Sequence, residues 1–246
     1  MLQKRSMGLV LVCLAVVILT LCSVGARRDD PQVQLTEIER GTIDVDGTAV
    51  SFLGNLGSSP SGSSAPGADR NVLLLHGAKY SAQTWKDLGT LALLANSGYR
   101  VAAVDLPKFV ADRPRDEILE LVCRRLGMAE DSPAVVVSPS MSGSFSIPLL
   151  LRKPDLFSGY LPVATGQALS YEAKDFEAVM GVPTLIVYGE LDTMGARASS
   201  ILEAIPNSHV LMIPGATHPA YLDDPVLFHN ELLRFLGEGV TFSHDK

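Results

Sequence analysis

From residue 71 onward, short unbroken apolar runs alternate with segments of helical period, and that alternation restricts the fold more than any other feature of the chain. "NVLLLHG", "YRVAAVDLP", "AVVVSPS", "GYLPVAT", "PTLIVYGE" and "HVLMIPG" read as strands. "SAQTWKDLGTLALLANSG" and "RDEILELVCRRLG" read as helices closed by Gly98 and Gly127, "GSFSIPLLLRKP" as another, with helical segments near 171–179, 195–204 and 225–236. Parallel neighbours need a crossover between them, which such helices supply. Strands covered on both faces lose the alternation of a half-exposed strand and read as continuous apolar runs. The expected fold is therefore α/β, with a mostly parallel central sheet and helices on both faces. Ahead of it, "QVQLTEIERGTIDVDGTAVSFLGNLG" reads as an antiparallel hairpin turning at Asp46-Gly47, and "SSPSGSSAPGAD" as a polar surface loop.

Ligands of such sheets bind beyond the carboxyl ends of the strands. The residues just after those ends are His76-Gly77, Asp105, the serines at 138–142, Asp192 and His218. A nucleophile on a sharp strand-to-helix turn needs small neighbours two positions either side, usually as G-x-S-x-G. Ser138-Pro139-Ser140-Met141-Ser142-Gly143 keeps the small residues and replaces both glycines with serine. Centring the turn on Ser138 would put Val136 at a small-residue position, and centring it on Ser142 starts it two residues late, so Ser140 is favoured. Pro139 cannot donate to a strand ladder, so pairing is expected to stop there. His218 in "GATHPAYLDDP" and Asp192 in "YGELDTMG" supply a base and an orienting carboxylate, with Glu190 an alternative acid. The order Ser140, Asp192, His218 is the one found in α/β-hydrolases. Backbone N–H groups of Ala78 and Met141 are the candidate oxyanion donors. His76 is expected to shape its loop, and Asp105 to cap or brace one.

"LLLHGAKYSAQTW", "VDLP", "VSPSMSGSFSIPLLL", "LIVYGELD" and "GATHPAYLDDP" together resemble the α/β-hydrolase domain-containing protein 14 family, on the side of its membrane-anchored A member. Lys108-Phe109 after "DLP" departs from the small turn usual at that place. The resemblance implies Ser140 as nucleophile, Asp192 as acid and His218 as base, with no required cofactor and coenzyme A as a candidate acyl acceptor. The expected activity is that of a serine hydrolase or acyl transferase working through an acyl-enzyme on small esters, thioesters or amides. Small groups are expected because residues 166–182 leave room for only a turn and one short helix where larger relatives of this architecture insert a lid. The competing reading is a catalytically weak or inactive hydrolase-fold interaction protein held at a membrane, with an unknown protein partner.

Residues 6–26, "SMGLVLVCLAVVILTLCSVGA", carry no charge and are flanked by Lys4-Arg5 and Arg27-Arg28. About 20 apolar residues suffice to span a bilayer. The expected layout is a basic flank at 1–6, a signal-anchor helix at 7–26, a linker at 27–32, the α/β-hydrolase domain at 33–239 and a tail at 240–246. A single-pass, type II membrane protein follows from it, against a cleaved-signal secreted protein or a cytoplasmic-facing domain. The net charge of −7, with no basic block in the body of the chain, argues against a nucleic-acid partner. Cys123 is the one cysteine outside the apolar run, so the domain holds no internal disulfide, no C-x-x-C pair and no expected metal site. It lies on an apolar helical face and reads as a small buried hydrophobe.

Overall fold

The computed structural model describes residues 36–56, 71–107 and 113–237. The chain divides into two units, Met1–Gln34 and Leu35–Lys246, and the described residues all belong to the second. The expected anchor at 7–26, Lys108-Phe109 and the tail at 240–246 lie outside them. The single-pass membrane localisation expected from the sequence is corrected: among the described residues no helix is long and apolar enough to cross a membrane.

Eight strands form one sheet in the order β1-β2-β4-β3-β5-β6-β7-β8. β1 (Glu39–Val45) and β2 (Thr48–Gly54) make the expected hairpin, and Val45 pairs with Thr48 across a turn whose residues, Asp46 and Gly47, both have positive φ. That two-residue turn matches the twist of its strands, and aspartate and glycine are the residues that tolerate it. β2 pairs antiparallel with β4 (Arg100–Val104); β3 (Asn71–Leu74), β5 (Ala134–Pro139), β6 (Phe157–Val163), β7 (Thr184–Gly189) and β8 (Ser208–Ile213) complete the parallel part.

Both faces of the central strands β3 to β7 are covered, which is why those strands are mostly apolar. Leu73, Ala102, Val104 and Val136 face a layer made by α3 (Arg115–Arg125), α4 (Gly143–Arg152), α5 (Ala173–Phe176) and α6 (Thr193–Leu202). Their neighbours Val72, Leu74, Val101, Ala103, Val135 and Val137 face α1 (Ala82–Asp87), α2 (Thr90–Asn96), α7 (Ala220–Asp223) and α8 (Pro225–Gly237). Cys123 is buried in the first layer, where desolvation pushes its thiol up to about 12, leaving it a packing group rather than a nucleophile.

The structure differs from the sequence reading at two places. The single helix expected over 81–98 is two, because Gly89 takes φ +82 between α1 and α2 and turns the chain. Pairing also continues through Pro139, which sits opposite Val163 in β6. Proline lacks only the donor half of a ladder pair, and on the other edge of β5 pairing with β3 runs to Leu74 opposite Val137. The connection from β6 to β7 holds a 3₁₀ segment at Gly166–Ser170 and the single turn of α5, the small cap that its length implied.

Candidate active site

β3 lies between β4 and β5 in the sheet, so the chain leaves β3 to one side and later returns to the other. The crevice at such a reversal, beyond the carboxyl ends of the strands, is where α/β sheets place their ligands. Ser140 stands at the end of β5, where a 3₁₀ turn (Ser140–Ser142) leads into α4. Its φ is +52, a left-handed backbone that few residues with a Cβ adopt. The turn packs tightly against its surroundings: a Cβ at Gly143 would meet Thr165 Cγ2 at 1.7 Å.

His218 and Asp192 come from loops that are folded onto each other. Leu191 N–H donates to Ala216 O at 2.9 Å, and a Cβ at Gly189 would meet Thr217 O at 2.2 Å, so glycine there lets the two loops touch. Asp223 accepts from the Thr217 N–H at 2.7 Å and from its hydroxyl at 2.6 Å, fixing the residue before His218. Asp192 is the N-cap of α6, and its Oδ1 accepts from the Gly195 N–H at 3.0 Å. The positive end of the helix therefore faces this buried carboxylate.

These loops bring three of the expected residues together. His218 Nε2 lies 2.8 Å from Ser140 Oγ, and His218 Nδ1 lies 2.5 Å from Asp192 Oδ2. An ionised carboxylate only accepts, so Nδ1 carries the proton and Nε2 is left to accept from the serine hydroxyl. Glu190, the alternative acid, is engaged elsewhere: its Oε2 accepts from the Gly215 N–H at 2.7 Å. Ser142 is fully buried and donates to Pro139 O, away from His218.

Ser140 and His218 open on a cleft of about 350 Å³, with Asp192 buried behind the imidazole. The loop after β3 supplies Gly77, Ala78, Lys79 and Tyr80 to its wall; Val163, Pro219 and Tyr221 supply much of the rest. Ala78 thus lies at the cleft, and Met141 directly follows Ser140 in the 3₁₀ turn. His76 does not enter the cleft lining. Its Nε2 accepts from the Leu106 N–H at 3.0 Å, so its Nδ1 donates to Gly77 O at 2.8 Å, tying the loop after β3 to the one after β4. Asp105 braces that region by accepting from the Ala82 N–H at the start of α1.

Several contributors were not singled out from sequence. Trp85 is fully buried, donates to Leu75 O at 2.7 Å and stacks on Tyr221 at 4.7 Å, and Tyr80 meets Tyr221 edge-on at 6.3 Å. This aromatic group backs one wall of the cleft. Its sequence signal was the tryptophan in "SAQTWKDL", which reads equally well as ordinary core. Among the described residues no group of three or more His, Cys, Asp or Glu gathers as a metal site.

The architecture is that of the α/β-hydrolases. Two solved structures share it: a CIB-like hydrolase of Thermoplasma acidophilum (TM-score 0.68, 24% identity, 81% of this chain and 98% of that one) and the carboxylesterase CesB of Bacillus subtilis (0.65, 16%, 85% and 94%). No family model matches the chain. A rat protein, ABHD14B, provisionally named a protein-lysine deacylase, is 39% identical over 214 residues, which are 82% of this chain and 97% of that protein. Rat ABHD14A is 42% identical over 175 residues, 67% of this chain and 71% of its own. The chain belongs to the α/β-hydrolase domain-containing protein 14 family.

Proposed function

We propose that the chain is a serine hydrolase that forms an acyl-enzyme on Ser140 from small acyl esters, thioesters or amides. The observation that carries this reading is the continuous line from Asp192 through His218 to a strained Ser140 at the mouth of a cleft. His218 Nε2 takes the hydroxyl proton as Oγ attacks the acyl carbon. Asp192 holds the imidazole in the required tautomer and stabilises the imidazolium. The carbonyl oxygen becomes an oxyanion facing the N–H groups of Ala78 and Met141. The imidazolium then protonates the departing alcohol, thiol or amine as its bond to carbon breaks. A water molecule repeats the sequence on the acyl-enzyme, giving up a proton to His218 and releasing the carboxylic acid and free Ser140. The base role requires the free lone pair at Nε2 of neutral His218.

The deacylase name carried by ABHD14B brings acyl-lysine amides into the substrate class. Coenzyme A enters as an alternative acceptor through the family resemblance, and acyl-coenzyme A formed during turnover would report it. The short connection between β6 and β7 supports a preference for small acyl groups. Burying each further methylene is worth about 0.8 kcal/mol only where an apolar wall covers it. In a p-nitrophenyl ester series with the full chain, acetyl and propionyl esters should show higher kcat/KM than octanoyl, and Ser140→Ala should remove turnover. A steady rise in kcat/KM beyond butyryl would show an acyl channel and defeat the small-acyl assignment. Turnover that survives Ser140→Ala would defeat the mechanism.

A further inference from the structure

Beneath the Ser140 turn runs a line of buried hydroxyls that the acyl-transfer steps do not use. Ser142 Oγ donates to Pro139 O at 2.8 Å. Ser138 Oγ lies 3.0 Å from Ser142 Oγ, Ser146 Oγ 2.7 Å from Ser138 Oγ, and the Tyr160 hydroxyl 2.9 Å from Ser146 Oγ. All four side chains are fully buried. Each hydroxyl has one proton to donate, and this gives the line a single direction. A carbonyl can only accept, so the Ser142 proton goes to Pro139. Ser138 must then donate to Ser142, Ser146 to Ser138, and Tyr160 to Ser146. Burial pushes the Tyr160 phenol above its ordinary value, which keeps it protonated at the head of the line.

The line ends on the carbonyl that immediately precedes Ser140, the residue with φ +52. A left-handed backbone at a residue with a Cβ persists only when its surroundings over-determine it. Thr165 Oγ1 adds a second restraint, donating to Ser138 O at 3.1 Å. We infer that Ser142 is a positioning residue whose hydroxyl clamps the Pro139 carbonyl and holds the strained Ser140 turn aimed at His218, with Tyr160, Ser146 and Ser138 each donating a hydrogen bond toward it in one direction. This inference rests on the acyl-enzyme reading of Ser140. It also gives the serines around the nucleophile a second role beyond smallness.

A one-way line makes its members unequal. Ser142→Ala removes the bond to Pro139 itself. Ser138→Ala leaves that bond but takes away the donor that holds Ser142 in place. Tyr160→Phe removes only the head, and every donation after it survives. The loss of kcat should therefore shrink in the order Ser142→Ala, Ser138→Ala, Ser146→Ala, Tyr160→Phe, whatever each does to Tm. The experiment measures kcat and KM for p-nitrophenyl acetate on the full chain, well below the Tm of the least stable variant, and the Tm of each. Misplacing a nucleophile lowers kcat more than KM, so Ser142→Ala should lose about tenfold or more in kcat with KM changed less than about twofold. Unchanged kcat in Ser142→Ala, or kcat losses across the four variants in any order other than this one, would overturn the clamp. If Ser142→Ala does not fold, a greater kcat loss in Ser138→Ala than in Tyr160→Phe decides the same point. A wild-type chain with no turnover and no labelling by a fluorophosphonate sinks the hydrolase reading and the clamp with it; wild-type turnover with the wrong order sinks the clamp alone.

Discussion

Asp192 serves two partners with two oxygens, and separating them tests what it does. Oδ1 accepts from the Gly195 N–H as the cap of α6, while Oδ2 takes the proton of His218 Nδ1. In Asp192→Asn the amide oxygen can keep the cap, and its NH₂ then faces Nδ1. That places a donor where an acceptor is needed, and the imidazole must carry its proton on Nε2, facing Ser140. Turnover should fall by about 10³–10⁴-fold, as for other triads given the wrong tautomer. Stability should change little, because the amide oxygen keeps the cap, which is worth about 1 kcal/mol. Asp192→Ala loses both and should also lower Tm; equal Tm losses in the two variants would contradict the division of roles. The identities of these residues could be read because each follows a strand and their chain order is restrictive. Gly195 could not. Its role appears only in space, where a Cβ would come 2.4 Å from Asp192 Oδ2.

At the scale of elements, the strand ends decide the site and close packing decides how far those ends can vary. α4 begins at Gly143 with ordinary helical backbone, so glycine is required there by proximity to Thr165 rather than by φ. Alanine is the better helix former by about 0.8–1.0 kcal/mol. Gly143→Ala should nevertheless destabilise, by about 1–3 kcal/mol, as an overpacked position does. Adding Thr165→Ser removes Cγ2, keeps the hydroxyl for Ser138 O, and should recover more than half of that loss in thermal unfolding. A stabilising Gly143→Ala would mean that the turn relaxes more readily than its packing implies. The alternation of apolar runs and helical segments revealed the strands and most helices, because burial on both faces leaves a continuous apolar signature. It did not reveal the break at Gly89, since an apolar helical period continues across it in "LGTLALL". Nor did it reveal pairing through Pro139, because the rule applied to proline concerns its missing donor and β5 uses that residue's other side.

For the whole molecule, the crevice beyond the carboxyl ends of β3 and β5 marks the end that holds Ser140, His218 and the cleft. The hydroxyl line under Ser140 was illegible in the sequence for the same reason of scale: Ser138, Ser142 and Ser146 are spaced along a strand, a turn and a helix, and Tyr160 comes from the neighbouring strand. Only the folded sheet stacks them. The uncharged run at 7–26, read as a membrane helix, lies outside the described residues, and among those no helix is long and apolar enough to cross a membrane. The central claim is that this end of the molecule activates one serine. The most direct measurement treats the full chain with a fluorophosphonate and locates the adduct by peptide mass spectrometry. One adduct on Ser140, lost in Ser140→Ala with Ser138 and Ser142 still present, is the expected result. No adduct, or an adduct that persists in Ser140→Ala or maps to Ser142, would contradict the account.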